Sequence, residues 1–472
     1  MGCIEPSIDR PKRASRLVQE AKAGERSCRF IAANSLRPLI IGFVCVWAML
    51  ATPTLTIAQS ADAISNAQRN NPCATVSAEQ VTQLRANQTQ FEERIERLRA
   101  GGAAQADSTL RNAQTELMAV LVELDCSRQQ VQTVRTRGLE PGKNQSVSAT
   151  VYYATNRRWQ GASATSGQYG AEASDNVEWG TTTVSLPSNR QPGEAPLPHR
   201  WTFNPAADRS ARAALAQVTR VGDIDQARSL LDRDVKNAST KSLLLIVHGF
   251  WTTFEDAAIR AAQTAHDIGF PGLVMMYSWP SQGTLTGYWR DEEMVQLSSA
   301  AFDETLQLIA HLGVTDLYLI ANSMGARLVG QVLADRVVAG KSSGPLRELL
   351  FAAADVNADL FRTQIAPKML KLSGTRLTIY SSSRDIALQT SKVIHKSARV
   401  GETDAGVFTH VGMETIDASR TASIWRAFGH SYVSDSPRVL RDFGELFGKR
   451  FGASQRGLPV RGVEPRQYWL LE

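Results

Sequence analysis

The stretch LYLIANSMGARL, residues Leu317–Leu328, decides the fold of this chain. Its apolar first half predicts a strand, Ser323 stands in a tight turn, and Ala326–Val338 continues with helical periodicity. A serine between a strand and a helix is typical of a nucleophile elbow, because the turn exposes the hydroxyl and the helix dipole favours negative charge beside it. Gly325 matches the second glycine of G-x-S-x-G, and Ala321 stands in place of the first.

Apolar runs alternate with helical patterns from residue 241 onward. The predicted strands are Leu243–Val247, Leu273–Tyr277, Leu317–Ala321, Leu349–Ala353, Leu377–Ser381 and a weaker Val411–Ile416. The predicted helices are Glu255–Ile268, Glu292–Leu312, Ala326–Val338 and Pro437–Phe447. Uncharged strands between helices indicate an α/β fold with a mostly parallel sheet and helices on both faces. Upstream, Ser148–Ala154 and Thr181–Leu186 are further strand candidates, and residues 210–236 have a weaker helical pattern.

The general base of such a site follows the serine in the chain, with an acid between them. His395, His410 and His430 are the candidates, and His430 is favoured because it lies in a loop after the last predicted strand. A loop at that point reaches the carboxyl edge of the sheet. We therefore expect His430 to take the proton from Ser323.

Three aspartates are candidates for the acid. Asp385 follows the strand Leu377–Ser381 and is favoured, Asp355 follows the preceding strand, and Asp417 is a weaker third. The acid would orient the imidazole of His430 and stabilise its charged form. The predicted catalytic residues are thus Ser323, Asp385 and His430.

An oxyanion hole is expected where the chain turns after Leu243–Val247, since Gly249 allows a backbone N–H to face the serine. The predicted donors are the N–H groups of Phe250, or alternatively Trp251, and of Met324. His248 precedes the serine and is interpreted as structural.

Aromatic residues near these turns are possible pocket residues: Trp251, Trp279 and Tyr288, with Trp289 beside them. The alternative for each is ordinary aromatic packing. If several line the site, the substrate has an apolar part such as an acyl chain. The sequence has no C-x-x-C pair, and we expect neither a metal nor a cofactor.

Five motifs occur in one order along the chain. They are Val247–Phe250, Ser278–Ser281, Ser323–Gly325, Tyr380–Asp385 and Gly429–Tyr432. This combination resembles the α/β-hydrolase superfamily, and more narrowly a bacterial branch of unknown function with V-H-G-[FY], S-W-P-S, S-M-G, Y-S-S-x-x-D and G-H-S-Y motifs. The resemblance covers roughly residues 149–448 and implies hydrolase chemistry without indicating a substrate. Asn322 departs from it, because that branch often has histidine before the serine.

The first 60 residues form a basic leader followed by an uncharged apolar run, Pro38–Ser60. This pattern predicts a signal peptide or signal anchor, with a buried core helix as the alternative. Small residues at Ala58 and Ser60 would allow cleavage. We expect an exported protein, either periplasmic or secreted, or one held in the inner membrane through residues 38–58.

Residues 73–136 predict an antiparallel helical hairpin, because two apolar stripes with helical spacing flank Gly101 and Gly102. The hairpin would bring Cys73 near Cys126, as a disulfide or as two thiols. Self-association through the hairpin is possible. A linker at 137–147, a hydrolase domain at 148–452 and a tail at 453–472 complete the predicted organisation.

The formal charge of +6 becomes +2 without residues 1–60, with 44 basic against 42 acidic residues. The high pI therefore describes the leader and gives no reason to expect nucleic-acid binding. Two hypotheses remain. The first is an exported serine hydrolase, esterase- or lipase-like, that cleaves an ester, thioester or related acyl bond in a small-molecule or lipid-like substrate through an acyl-enzyme. The second is a catalytically silent envelope protein that binds a partner through its hairpin.

Overall fold

The computed structural model describes residues 82–83, 86–87, 90, 120, 146–161, 168–188, 190–193, 213–284, 287–421 and 430–472. The predicted leader and linker lie outside these residues. Within the predicted hairpin the six described residues are helical. The rest of the hairpin and both of its cysteines lie outside the described residues, so the hairpin stays a prediction. Among the described helices, none has the length and apolar character needed to cross a membrane.

Strands β1–β11 form one sheet in the order β10-β11-β9-β8-β7-β6-β4-β5-β1-β2-β3. In chain order they are Ser146–Trp159, Tyr169–Pro187, Ala214–Val221, Ser242–Val247, Leu273–Ser278, Asp316–Asn322, Leu346–Ala352, Arg376–Ser381, Glu414–Asp417, Val460–Arg461 and Tyr468–Leu470. The run from β1 through β5, β4, β6, β7, β8 and β9 to β11 is parallel. The pairs β1–β2, β2–β3 and β10–β11 are antiparallel.

Helices α1–α10 connect these strands. In chain order they are Ile224–Asn237, Phe254–Asp267, Tyr288–Leu297, Ser299–Ala310, Gly325–Val338, Ala358–Leu360, Ala366–Met369, Ile386–His395, Tyr432–Asp435 and Pro437–Lys449. A π-helical turn, Phe361–Ile365, joins α6 to α7.

The central strands are buried on both faces. In β6, Leu317, Leu319 and Ala321 belong to one apolar cluster, and the alternate residues Tyr318 and Ile320 belong to another. Successive side chains of a strand point to opposite faces, so each face of the sheet has its own core. This is the mostly parallel, doubly covered sheet that the sequence predicts.

The helical prediction for residues 210–236 is wrong in its first half, where β3 pairs antiparallel with β2. Helix α1 begins only after Asp223, whose side chain caps it by accepting from the Gln226 N–H at 2.8 Å. Long-range pairing with β2 overrides the weak local pattern. The predicted helix Glu292–Leu312 is likewise two helices, α3 and α4, divided at Ser298.

The last 20 residues contribute to the sheet. Strand β11 pairs parallel with β9 through Trp469 and Ile416, and β10 pairs with β11. The sheet thus extends past residue 452, where the sequence analysis ends the hydrolase domain.

Candidate active site

Ser323 occupies the turn between β6 and α5 with a positive φ of 53°. This conformation is uncommon for a residue other than glycine and is held only where surrounding contacts enforce it. The Ser323 N–H donates to the Ala352 carbonyl at 2.9 Å, and the Ser323 carbonyl accepts from the Asp355 N–H at 3.1 Å and the Ala326 N–H at 3.0 Å. Hydrogen bonds thus hold both the backbone N–H and the backbone carbonyl of Ser323, as the elbow prediction requires.

Two glycines allow the elbow to approach the end of β4. A Cβ on Gly249 would lie 2.6 Å from the Ser323 Cβ, and a Cβ on Gly325 would lie 2.4 Å from the His248 carbonyl oxygen. Any side chain at either position would push the serine away from the loop after β4. That loop therefore touches the serine directly.

Asp385 and His430 come together across 45 residues of chain. The His430 Nδ1 lies 2.7 Å from the Asp385 Oδ2. Asp385 is fully buried at the N-terminus of α8, where its other oxygen, Oδ1, accepts from the Leu388 N–H at 3.0 Å. The cap and the imidazole thus hold the carboxylate in one orientation.

Burial and charge shape the titration of this pair. Burial raises the pKa of Asp385 above its ordinary value, against the opposing effect of His430. Burial by itself lowers the pKa of His430, but the charge and hydrogen bond of Asp385 outweigh it and the net pKa is raised above 6.5. His430 is therefore a stronger base than a free histidine.

Ser323 follows β6 and Asp385 follows β8, two parallel strands separated in the sheet by β7, and His430 precedes α9, so Ser323 and the Asp385–His430 pair both lie at the carboxyl edge of the sheet. Among the described residues, no hydrogen bond joins the Ser323 hydroxyl to the His430 imidazole. Such contacts often tighten only in the complex with substrate.

Asp355, the alternative acid, has different partners. Its Oδ2 accepts from the Tyr288 hydroxyl at 2.7 Å and from the Arg327 Nη2 at 3.0 Å. Its Oδ1 accepts from the Ser391 hydroxyl at 2.6 Å and lies 3.3 Å from the Arg399 Nε. Burial favours the neutral form, but the two guanidinium groups outweigh it and hold the pKa of Asp355 well below its usual range. Asp417, the third candidate, binds the backbone N–H of Ser419 at 2.9 Å.

The other histidines have separate roles. His395 pairs with Glu292 at 2.7 Å, and His410 is partly exposed with its Nδ1 2.9 Å from the Val411 carbonyl. His248 is buried, stacks on Trp279 and lies 2.8 Å from the Gly249 carbonyl. Burial lowers the pKa of His248 to about 3, so it is neutral at physiological pH. These contacts fit its interpretation as structural.

The expected oxyanion donors differ in whether their N–H groups already donate a hydrogen bond within the protein. In the described part of the chain, neither the Phe250 N–H nor the Met324 N–H donates a hydrogen bond. The alternative donor, the Trp251 N–H, donates to the Asp291 Oδ2 at 3.3 Å. This geometry favours Phe250 over Trp251, and the catalytic role itself stays a prediction.

The three possible pocket residues divide into two groups. Trp279 is fully buried and its Nε1 donates to the His248 carbonyl at 2.8 Å, so it packs in the core and offers a ligand no surface. This burial favours ordinary aromatic packing, the alternative given for Trp279. Tyr288 is 6% exposed and packs edge to face on Phe250, with ring centroids 5.1 Å apart. Trp251 is half-buried beside Phe250.

Sequence reasoning missed the charged cluster around Asp355. Arg327 lies in the first turn of α5, which directly follows the predicted serine turn, and this position was a signal available in the sequence. It contacts Asp355 and forms an ion pair with Glu292. Arg399 lies in a loop after α8, and nothing in the sequence indicated that it would contact Asp355. In the described ranges, no three His, Cys, Asp or Glu side chains gather as a metal site would require.

Residues 223–450 match the model of a family described as "Alpha/beta hydrolase of unknown function (DUF900)". No curated protein matches the chain.

Three solved structures show limited similarity. A mutant of the esterase rPPE is 12% identical, with 75% of this chain and 94% of that chain covered and a TM-score of 0.25. A thermostable esterase from Pseudomonas putida ECU1011 is 12% identical, with 76% and 82% covered and a TM-score of 0.21. The acylaminoacyl peptidase of Pyrococcus horikoshii is 13% identical, with 58% and 52% covered and a TM-score of 0.26. TM-scores of this size carry no argument.

Proposed function

Because residues 223–450 have the α/β-hydrolase fold and belong to the family of alpha/beta hydrolases of unknown function, we propose that this hydrolase acts on acyl bonds through Ser323, His430 and Asp385. The bonds are esters, thioesters or related acyl linkages. The observation that carries the proposal is the 2.7 Å contact between the His430 Nδ1 and the buried Asp385 Oδ2, at the edge of the sheet where Ser323 stands in the tight turn after β6.

In the proposed reaction, the contact with Asp385 keeps the proton of His430 on Nδ1, which leaves Nε2 as the acceptor. His430 takes the proton of Ser323 as the serine oxygen attacks the acyl carbon. His430 then returns that proton to the leaving group, and an acyl-enzyme forms. Water activated by the same imidazole releases the acid and restores the serine.

The negative oxygen of the tetrahedral intermediate would bind the N–H groups of Phe250 and Met324. Two features support this role: Gly249 brings its loop against the serine, and Met324 directly precedes α5. The positive end of α5 adds to the same stabilisation.

We propose a substrate with an apolar acyl or aryl part, as in carboxylic esters of small molecules or lipids. Phe250 is half-buried and contacts Tyr288, which packs edge to face on Trp289 with ring centroids 5.7 Å apart. With Trp251, these rings form a connected aromatic group that begins next to Gly249, the residue that packs against Ser323. Such groups favour apolar ligands.

Export is also part of the proposal, and it rests on the basic leader and the apolar run of residues 38–60. The mature protein would be periplasmic, secreted or anchored in the inner membrane. Self-association through the predicted hairpin at 73–136 remains a further proposal. Fractionation of cells that express the full chain, with and without residues 1–60, tests the location.

The decisive test of the chemistry is covalent labelling by a fluorophosphonate. We expect the wild-type chain to be labelled, Ser323→Ala to lose all labelling, and Ser298→Ala to keep it. Ser298 is a matched control because it is a buried serine that contacts Asn156 and Met294. Folded wild-type protein that resists labelling would overturn the proposal and favour the binding scaffold.

A series of p-nitrophenyl esters of increasing chain length tests the substrate class. We expect kcat/KM to rise with acyl length while the aromatic group accommodates the chain. A rate independent of chain length would contradict an apolar acyl site.

A further inference from the structure

The loop after β4 has a conformation that its own sequence does not favour. We call residues 249–252 the oxyanion loop. Within it, Trp251 has a positive φ of 58°, which is rare for a bulky side chain and is held only where surrounding contacts enforce it. Gly249 packs against Ser323 on one side of Phe250, and Trp251 follows on the other. Contacts that hold Gly249 and Trp251 therefore restrict the conformation of Phe250 between them.

Asp291 of α3 provides one of these contacts. It is fully buried, and its Oδ2 accepts from the Trp251 N–H at 3.3 Å and from the Ser281 hydroxyl at 2.5 Å. Its Oδ1 accepts from the Gln282 N–H at 2.7 Å. Ser281 in turn accepts from the Thr252 N–H at 3.1 Å. One carboxylate thus binds two consecutive N–H groups of the oxyanion loop, one directly and one through a serine.

Arg157 of β1 holds the same loop from the other side. It is 1% exposed, and its Nη2 donates to the Thr252 carbonyl at 2.7 Å. Its Nη1 donates to the Ser281 carbonyl at 3.0 Å, and its Nε donates to the Ser278 hydroxyl at 2.9 Å. A guanidinium presents its donors in a rigid fork, so these contacts fix the loop after β4 and the loop after β5 together.

We propose that Arg157, Ser281 and Asp291 form a loop clamp that positions the Phe250 N–H for the oxyanion of the reaction at Ser323. This proposal rests on the proposed function. The three side chains hold Trp251 and Thr252, and Gly249 packs against Ser323, so Phe250 lies between two fixed parts of the loop. None of the three touches the reacting atoms in the mechanism above, so they are positioning residues. Their effect is specific to the transition state, because the N–H matters most when charge develops on the substrate oxygen.

The primary test is Asp291→Asn, which keeps the side-chain volume but removes one of the two acceptor oxygens. With a p-nitrophenyl ester as the substrate, we expect kcat to fall about 10- to 100-fold with KM nearly unchanged. The rate of fluorophosphonate labelling should fall by a similar factor, since the phosphonyl adduct also places an oxygen in the hole. The matched control is Asp442→Asn, a buried carboxylate on α10 that binds Tyr380 and Arg456. It should leave kcat per folded molecule unchanged.

Ser281→Ala provides a second test of the loop clamp. This test can still be made if the Asp291→Asn variant does not fold. Ser281→Ala deletes one hydroxyl and loses the link from Thr252 to Asp291. We expect a smaller fall in kcat than for Asp291→Asn, again with KM unchanged. Ser298→Ala, an equally buried serine, should have no such effect. The clamp is overturned if folded Ser281→Ala or Asp291→Asn retains wild-type kcat, or if either changes KM alone.

The outcomes separate the clamp from the proposed function. If wild-type protein shows no labelling that depends on Ser323, the proposed function fails. If wild-type protein is labelled and hydrolyses esters but the clamp variants match it, only the clamp fails.

Discussion

Asp355 and Asp385 follow neighbouring parallel strands, β7 and β8, and both are buried at the same edge of the sheet. Their partners differ. Asp355 binds two arginines, and their guanidinium groups hold its pKa well below the usual range. Asp385 binds a histidine, and burial keeps its pKa above the ordinary value.

The difference shows that two carboxylates at equivalent positions in the sheet can meet partners of different chemistry. Arginine stays protonated at any relevant pH, so Asp355 remains in a permanent ion pair that joins α5 to the loop after α8. Histidine changes charge near neutrality, so Asp385 faces a group that can take up and release a proton. The partner that the fold brings to each carboxylate determines what that carboxylate can do.

The largest expected effect separates the two residues by activity. Asp385→Asn should lower kcat about 10³- to 10⁴-fold, because an amide cannot hold His430 in the tautomer that accepts the serine proton. Asp355→Asn should lower kcat far less, since the contact of residue 355 with the Ser323 carbonyl is made by its backbone N–H. Steady-state hydrolysis of one ester by both variants checks this, and the reverse ranking would exchange the roles of the two carboxylates.

The second expected effect separates Asp355 from Asp385 by the loss in free energy of unfolding when each is replaced. Asp355→Asn should lower the free energy of unfolding by about 3–5 kcal/mol, because it leaves the charges of Arg327 and Arg399 incompletely paired in a buried site. The depressed pKa means that wild-type Asp355 stabilises the fold above about pH 3.9 and loses this contribution as pH falls through its folded pKa. Asparagine caps helices as well as aspartate, so Asp385→Asn should change stability much less. Urea unfolding at pH 7 measures both, and equal losses would contradict the comparison.

The smallest expected effect concerns the pH dependence of kcat/KM. His430 accepts a proton only when neutral, so kcat/KM should be full above its pKa and fall about tenfold for each pH unit below it. Because Asp385 raises that pKa, the midpoint should lie above 6.5. In Asp385→Asn the midpoint of the residual activity should move down, whereas in Asp355→Asn it should move much less. An equal shift of the midpoint in both variants would mean that the pKa of His430 responds to any nearby negative charge and not specifically to its contact with Asp385.

The α/β-hydrolase fold followed from local patterns. The strand of LYLIANSMGARL, its serine turn and its helix occupy the predicted residues, because an uncharged run of β-forming residues and a following helical stripe leave few alternatives. The predictions failed where distant pairing decided the structure. Residues 214–221 form β3 beside β2, and residues 468–470 form β11 beside β9.

The sequence by itself determined the strand, the turn and the helix around Ser323, and it predicted the order of serine, acid and base with a short choice of candidates for each. It favoured Asp385 over Asp355 only by position along the chain, and it gave no sign that Trp279 is fully buried or that Arg157 reaches the oxyanion loop. The contact of His430 with Asp385 spans 45 residues of chain, and the contact of Arg157 with Thr252 spans 95. Spacing along a strand or helix is a local property, whereas the pairing of buried charges is set by the order of strands in the folded sheet.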